Sequence, residues 1–238
     1  MFSPAGGVIY HIRAMLYLHR LWKPFGDSIA AWLDQWKTPE KELIIIGAGG
    51  GYFLTPDFLR RFRSILAIDP DPLARLVFLR RFSSFRQNII WDTNDYFLSG
   101  DIPGHSLQDL LNRKPGGAVL FSNFLGQIPF LLEDDMERMR TIIRLHGHLL
   151  PSLKDRNWCS YHDRYSGRCR AGKTTVMSSS RQMAGEELIR SLCTDISGEW
   201  TDHLTEGYFP GSGRYNYFLW RLTPKTSHII EGVFKIRT

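Results

Sequence analysis

A continuous aliphatic run, Leu43 to Ile46, breaks without transition into a cluster of glycines at positions 47, 49, 50 and 51. Four apolar residues in a row do not alternate with polar ones, so neither face of the segment is made for water. That is the mark of a strand buried on both sides, as in a parallel sheet covered by helices on each face. Glycines at the carboxyl end of such a strand permit positive φ and leave the main chain bare, so a flat ligand can lie against it with no Cβ in the way. Open α/β sheets hold their ligands at that edge, near the switch in strand order. A nucleoside is the expected occupant.

The rest of the chain alternates in the same sense. Ile9 to Leu21 and Asp27 to Trp36 read as helices, the second with Asp27 as N-cap and Ile29, Trp32, Leu33 and Trp36 on one face. Residues 1–41 thus form a helical lead-in to a domain spanning 42–238. After the breaker "KTPEKE", strand patterns at "LIII", "SILAID", "NIIW", "GGAVLFSN" and "NWCSYH" are separated by helical ones. The first of these helices has Thr55 as N-cap, Pro56 in the first position and Asp57 in the first turn; the second opens at Pro72. A longer helix, "LEDDMERMRTIIRLHGHLL", should end at Gly147 with Pro151 beyond it. After the helix "GEELIRSLC", two strand-like stretches, "GEWTDHLTEGYF" and "RYNYFLWRLTP", are joined only by "PGSG", which favours a hairpin. The fold class expected is α/β: a doubly wound, mostly parallel seven-stranded sheet with an antiparallel last strand.

Two nucleoside classes compete for the glycine loop. A dinucleotide fingerprint, G-x-G-x-x-G, needs a small residue at position 52, where this chain has Tyr52. Asp69, closing the second strand, is placed to accept hydrogen bonds from a ribose diol, which either class would use. The stretches "LIIIGAGGG" and "ILAIDPDP" resemble the first two motifs of the class I S-adenosylmethionine-dependent methyltransferases, and the likeness in element order runs from about Glu42 to Arg221. The resemblance implies S-adenosylmethionine as cofactor, with Gly47, Ala48, Gly49 and Gly51 lining it, and Asp69, followed by Pro70, holding the ribose. It implies that Asp92 or Asp95 faces the adenine and that Ser122 and Asn123 stand near the transferable methyl group. The family's usual acid two residues before the first glycine is Ile45 here.

The stretch "SYHDRYSG" is the densest polar cluster. His162 is the candidate general base, with Asp163 as its neighbour, because imidazole titrates near neutral pH and a carboxylate can orient it. Asp92, Asp95 and Asn123 each have a plainer reading as turn or capping residues. "SNFLG" is not the Asn/Asp-Pro-Pro-aromatic motif of many amine methyltransferases, so no amine acceptor is inferred. Cys159 and His162 are spaced C-x-x-H, yet a regular fourth ligand is missing, so no metal is expected. In "GRCRAGKTT" Gly167, Gly172, Lys173 and Thr174 stand at phosphate-loop spacing, but the stretch opens no helical pattern, so no nucleotide-triphosphate site is inferred.

The net charge of +6, with clusters "RRFRS" and "LRRFSSFR", suits an anionic acceptor such as RNA or an acidic peptide, although arginines on a helix flank also serve as a plain solvated face. No apolar run approaches the roughly 18 residues of a membrane span, so no membrane partner and a cytoplasmic location are expected. Three unpatterned cysteines read as reduced thiols. Two rivals accompany the methyltransferase reading: a nicotinamide oxidoreductase, against which Tyr52 stands, and a non-catalytic module using the same pocket for binding.

Overall fold

The computed structural model describes residues 7–94, 96, 105–132, 134–172, 174–210 and 213–237. At its centre is β1 (Glu42–Ile46), flanked by β2 (Ser64–Ile68) and β4 (Gly117–Ser122), both parallel to it; Ile44 stands opposite Leu66 on one side and Val119 on the other. β3 (Ile89–Asp92) continues the parallel array beyond β2, and β5 (Trp158–Ala171) beyond β4. The continuous aliphatic run of β1 is explained by this position, since Leu43 to Ile46 are all buried.

Helices cover both faces. On one, α1 (Gly7–Tyr17), α2 (Lys23–Leu33), α3 (Pro56–Arg60) and α4 (Pro72–Arg81) bring Trp22, Trp32, Phe58 and Phe78 into a core with Ile45, Ala67 and Leu120. On the other, α5 (His105–Arg113), α6 (Asp135–Ser152) and α7 (Gly185–Leu192) set Leu110, Leu145, Leu149 and Leu188 against Ile44, Val119 and Phe121. The doubly wound arrangement follows from the two-sided burial of the strands.

The helix starts obey local chemistry. Thr55 accepts from Phe58 N at 3.1 Å and Asp71 from Leu73 N at 2.8 Å, each preceding a proline in the first turn. The second helix begins earlier than expected, because Pro24 rather than Asp27 marks its first turn; Asp27 lies inside it and pairs with Lys23 at 2.6 Å. Its aromatic stripe is core: Trp32 and Trp36 are buried, and Trp22 and Phe25 pack on Trp220 of the sheet at ring separations of 5.1 and 5.2 Å. α6 continues through Gly147, its backbone hydrogen bonds outweighing the conformational cost of the glycine, and Pro151 sits in its last turn.

The C-terminal half departs from the expected hairpin. β5 runs for 14 residues, so the strand expected at "NWCSYH" continues beyond His162 to Ala171. β7 (Cys193–Asp202) pairs antiparallel with β5, and β8 (Tyr215–Arg221) forms its hairpin with β9 (Ser227–Lys235), around a turn in which Thr223 Oγ1 accepts from Lys225 N and Thr226 N. With β6 (Val176–Ser179) the sheet has, among the described residues, nine strands rather than seven, in the order β3-β2-β1-β4-β5-β9-β8-β6 with β7 alongside β5. The extra strands exist because β5 overshoots the parallel array and its projecting half needs partners for its backbone groups. Cys169 and Cys193 are joined by a disulfide across β5 and β7, which corrects the expectation of reduced thiols; Cys159 is free and buried. Among the described residues no helix is long and apolar enough to cross a membrane.

Candidate cofactor cavity at the strand edge

A cavity of about 500 Å³ opens at the carboxyl ends of β1, β2 and β4, within the size range of small-molecule sites. The glycine loop forms its floor. Gly47, Gly49 and Gly51 all have positive φ, at 71°, 51° and 64°. What approaches the bare backbone differs from glycine to glycine. A Cβ on Gly47 would stand 2.5 Å from Phe124, one on Gly50 2.7 Å from the Tyr52 ring, and one on Gly51 2.6 Å from Phe82. At Gly49 a Cβ would meet nothing within 4 Å. Three of the four glycines therefore make room for the protein's own aromatic side chains, and Gly49 alone faces open space.

Asp69 stands beside that space. Its Oδ2 accepts from Gly49 N at 2.8 Å and its Oδ1 from Asp71 N at 2.9 Å. Burial pushes its carboxyl above the ordinary range, and the two backbone donors only partly offset this. Asp71 also meets His11 Nε2 at 3.3 Å, while His11 Nδ1 shares a hydrogen bond of 2.6 Å with the Tyr52 hydroxyl. A carboxylate can only accept, so Nε2 carries a proton, and in the neutral ring Nδ1 accepts from Tyr52. Burial raises the Tyr52 hydroxyl to about 12 against the pull of Arg81, whose guanidinium lies 5.4 Å from its ring. These contacts fasten α1 across the loop, and Gly7, Tyr10 and His11 become one wall of the cavity.

The opposite end is built by the residues after β4. Ser122 Oγ and Tyr161 OH are 2.6 Å apart, and burial holds the Tyr161 hydroxyl well above its usual range. Asn123 adopts φ 52°, donating its N–H to Tyr161 O at 2.8 Å, and its side-chain Oδ1 is buried with no partner. Gln127 Nε2 donates to Asp163 Oδ2 at 2.6 Å. The other oxygen of Asp163 accepts from His228 Nδ1 at 2.7 Å. Burial works to raise the Asp163 carboxyl, but the imidazoles of His228, His203 and His162 and the His228 hydrogen bond outweigh it and hold the group low. Asp163, His203 and His228 place potential ligand atoms within 4.8 Å of one another. The cluster is closed by its own bonds: His203 Nδ1 faces Gly126 O at 2.8 Å and its Nε2 faces Ser166 Oγ at 3.0 Å.

Of the residues singled out in the sequence, Gly47, Ala48, Gly49, Gly51, Asp69, Pro70, Ser122 and Asn123 come together around the cavity. Asp92 does not line it; it accepts from Asn94 N at 2.9 Å and from Tyr96 OH at 2.7 Å, the turn-capping role. Asp95 lies outside the described residues. His162 does not reach the cavity: strand alternation turns it to the opposite sheet face from Tyr161 and Asp163. There it is fully buried, with Ser160 Oγ 2.9 Å from Nδ1 and Glu231 3.5 Å from Nε2. The partner of Asp163 is instead His228, 65 residues further on. No local pattern could reveal that pairing, nor the arrival of Tyr10, His11 and Gln127 at the wall, because each depends on how distant elements pack.

No family model matches the chain, and no curated protein matches it. Among solved structures it is similar to the DhpI–SAH complex, at 14% identity over 94% of this chain and 92% of that one, with a TM-score of 0.42. It is also similar to the N-methyltransferase NodS from Bradyrhizobium japonicum WM9, at 12% identity over 90% and 96% of the two chains, TM-score 0.43. A third is SAM-bound CalS10, an amino pentose methyltransferase from Micromonospora echinaspora involved in calicheamicin biosynthesis, at 12% identity over 100% and 86%, TM-score 0.35. Likenesses this loose carry no weight for what the cavity binds, which has to be read from the bare backbone at Gly49, the carboxylate beside it and the unpaired carbonyl at the far wall.

Proposed function

We propose that the chain binds S-adenosylmethionine in this cavity and transfers its methyl group to an acceptor. The observation that carries this reading is the open face of Gly49 next to the Asp69 carboxylate: an adenosine laid on the bare backbone would bring its ribose hydroxyls to the lone pairs that Gly49 N and Asp71 N leave free. Charge supports it. The described lining contains Asp69 and Asp71 and no lysine or arginine, which suits a cationic sulfonium and gives no counter-charge to the pyrophosphate of a dinucleotide. The cofactor would supply an activated methyl group on a leaving sulfur; the chain's part is to align and to keep water out. Tyr10, Phe124 and Tyr161 provide apolar walls, with Ser122 and Asn123 between them.

A second reading, binding without transfer, is favoured by one feature. The side chain expected to remove a proton, His162, is sealed on the other face, and His11, the histidine that does line the cavity, is tied to Tyr52 and Asp71. Calorimetric titration with S-adenosylmethionine, S-adenosylhomocysteine and NADH tests the cofactor class: the first two should bind and NADH should not. Transfer of labelled methyl to cell fractions then separates enzyme from module. An anionic acceptor, RNA or acidic peptide, is part of this proposal and rests on the exposed Arg63, Arg75, Arg80 and Arg86 on the α3 and α4 side; steep loss of acceptor binding with added salt is the expected sign. Residues 1–41 would act as the lead-in that covers the pocket of the 42–238 domain.

A further inference from the structure

Resting on the adenosine reading, we infer that Asn123 Oδ1 and Gln127 Oε1 form a pair of carbonyl acceptors that receives the ammonium group of the cofactor's amino-acid half. The position that precedes the first glycine by two residues is Ile45, fully buried in the apolar core, so no carboxylate reaches the cavity from β1. The polar groups at the end away from Asp69 are uncharged. Asn123 is held in the left-handed region by its place at the end of β4, and its Oδ1 is buried without a partner. A buried carbonyl left unpaired carries a desolvation cost that a ligand donor removes. Gln127 is oriented by Asp163: the carboxylate can only accept, so the amide nitrogen must face it, as the 2.6 Å contact shows, and Oε1 is turned the other way. His228 holds Asp163 from the far side at 2.7 Å, which fixes the carboxylate and through it the glutamine. Both Asn123 and Gln127 line the cavity, and the Asp163 carboxylate, bonded to Gln127 from behind, adds a negative potential that favours a cation. An ammonium has three donors and no acceptor, the complement of carbonyl oxygens, which only accept.

Two probes test this, S-adenosylhomocysteine and 5′-methylthioadenosine, which share the thioether nucleoside but differ in the amino-acid tail. Calorimetry on the wild type, Asn123→Ala and Gln127→Ala, each checked for an intact melting transition, should show S-adenosylhomocysteine weakened at least about tenfold in both variants. Methylthioadenosine affinity should stay within about twofold. Asn123→Asp, which keeps the shape and tolerates the same backbone region, should bind S-adenosylhomocysteine no more weakly than wild type. Equal loss for both probes, or loss for neither, overturns the inference while leaving the adenosine site standing. If the wild type binds neither probe, the adenosine reading falls and this inference falls with it.

Discussion

Gly49 donates its backbone N–H to Asp69 Oδ2 at 2.8 Å, so the carboxylate proposed to hold a sugar also holds the loop on which the sugar would lie. Asp69→Ala should therefore act twice. Loss of charge-assisted hydrogen bonds to the ribose should weaken adenosine ligands by about 1.5 to 3 kcal/mol, on the order of ten- to a hundredfold. The freed Gly49 and Asp71 amides should also loosen the loop, lowering the melting temperature even without ligand. Asp69 has a raised carboxyl, so its protonation begins at a higher pH than for an ordinary aspartate. The folded state holds that proton more tightly than the unfolded chain, so this group alone favours the fold as pH falls, while ligand affinity drops over the same range. A titration finding affinity flat from pH 7 down to 4 would remove Asp69 from the site.

The four glycines should respond differently to substitution. In Gly49→Val the added Cβ meets no neighbour, so the variant should leave a folded domain, destabilised by about 1 to 2 kcal/mol from the left-handed backbone. Its side chain would fill the space above the loop and abolish ligand binding. Gly51→Ala pushes a Cβ against Phe78 and Phe82, adding an overpacking cost of about 1 to 3 kcal/mol to a similar strain, so it should be the less stable of the two despite the smaller side chain. Chemical denaturation ranks the pair, and the opposite order would show that the loop relaxes freely.

That contrast also marks how far the sequence could be read. The run Leu43 to Ile46, the glycines and Asp69 define the parallel half of the sheet and the edge where the cavity opens, because continuous burial and bare backbone leave direct traces in residue type. The purpose of each glycine was not legible: Phe124 and Phe82 lie far along the chain from the glycines they crowd. Thr55 was plain as a cap and Pro72 as a helix start since both signals are local, whereas Asp27 misled, its carboxylate serving Lys23 rather than the helix start. The long β5 was hidden by its own polarity. Asp163 and Arg164 lie beyond the strand pattern that ends at His162, and these polar residues are buried in the strand only because Glu231, Gln182 and His228 come from elsewhere to pair with them or their neighbours.

Asp163 should govern the acid limb of stability. Its carboxyl is held below the unfolded value, so it contributes stability that is present above the unfolded pKa and lost as pH falls through the folded one; Glu231 has the same sign. Asp163→Asn removes the charge opposite His228 and places an amide against the Gln127 amine, which should destabilise the fold by about 3 kcal/mol or more at neutral pH. The difference from wild type should narrow as the pH drops below 4. His228→Gln, which leaves a donor able to reach Asp163, should cost less. Denaturation curves at pH 7 and pH 3.5 measure this, and a constant gap between wild type and Asp163→Asn would contradict it.

His11 is the hinge pin of the cavity wall. Its two ring nitrogens tie α1 to Tyr52 in the glycine loop and to Asp71 at the start of α4, at 2.6 and 3.3 Å, and it is 5% exposed. His11→Ala should cost about 1 to 2 kcal/mol for the two lost bonds and the Tyr52 hydroxyl and Asp71 carboxylate left with one partner fewer. Because α1 packs on the sheet mainly through its Tyr10 and Ala14 side, that loss should appear first as local opening of the helix rather than as global unfolding. Amide exchange over residues 10–17 should speed up in His11→Ala well before that of β1 or β4, and S-adenosylhomocysteine should dissociate faster. Tyr52→Phe, which removes one bond and keeps the ring beneath Arg81, should give an intermediate effect. If α1 exchanges at the wild-type rate in both variants, the helix is held by its apolar packing alone and the polar latch contributes nothing to closing the cavity.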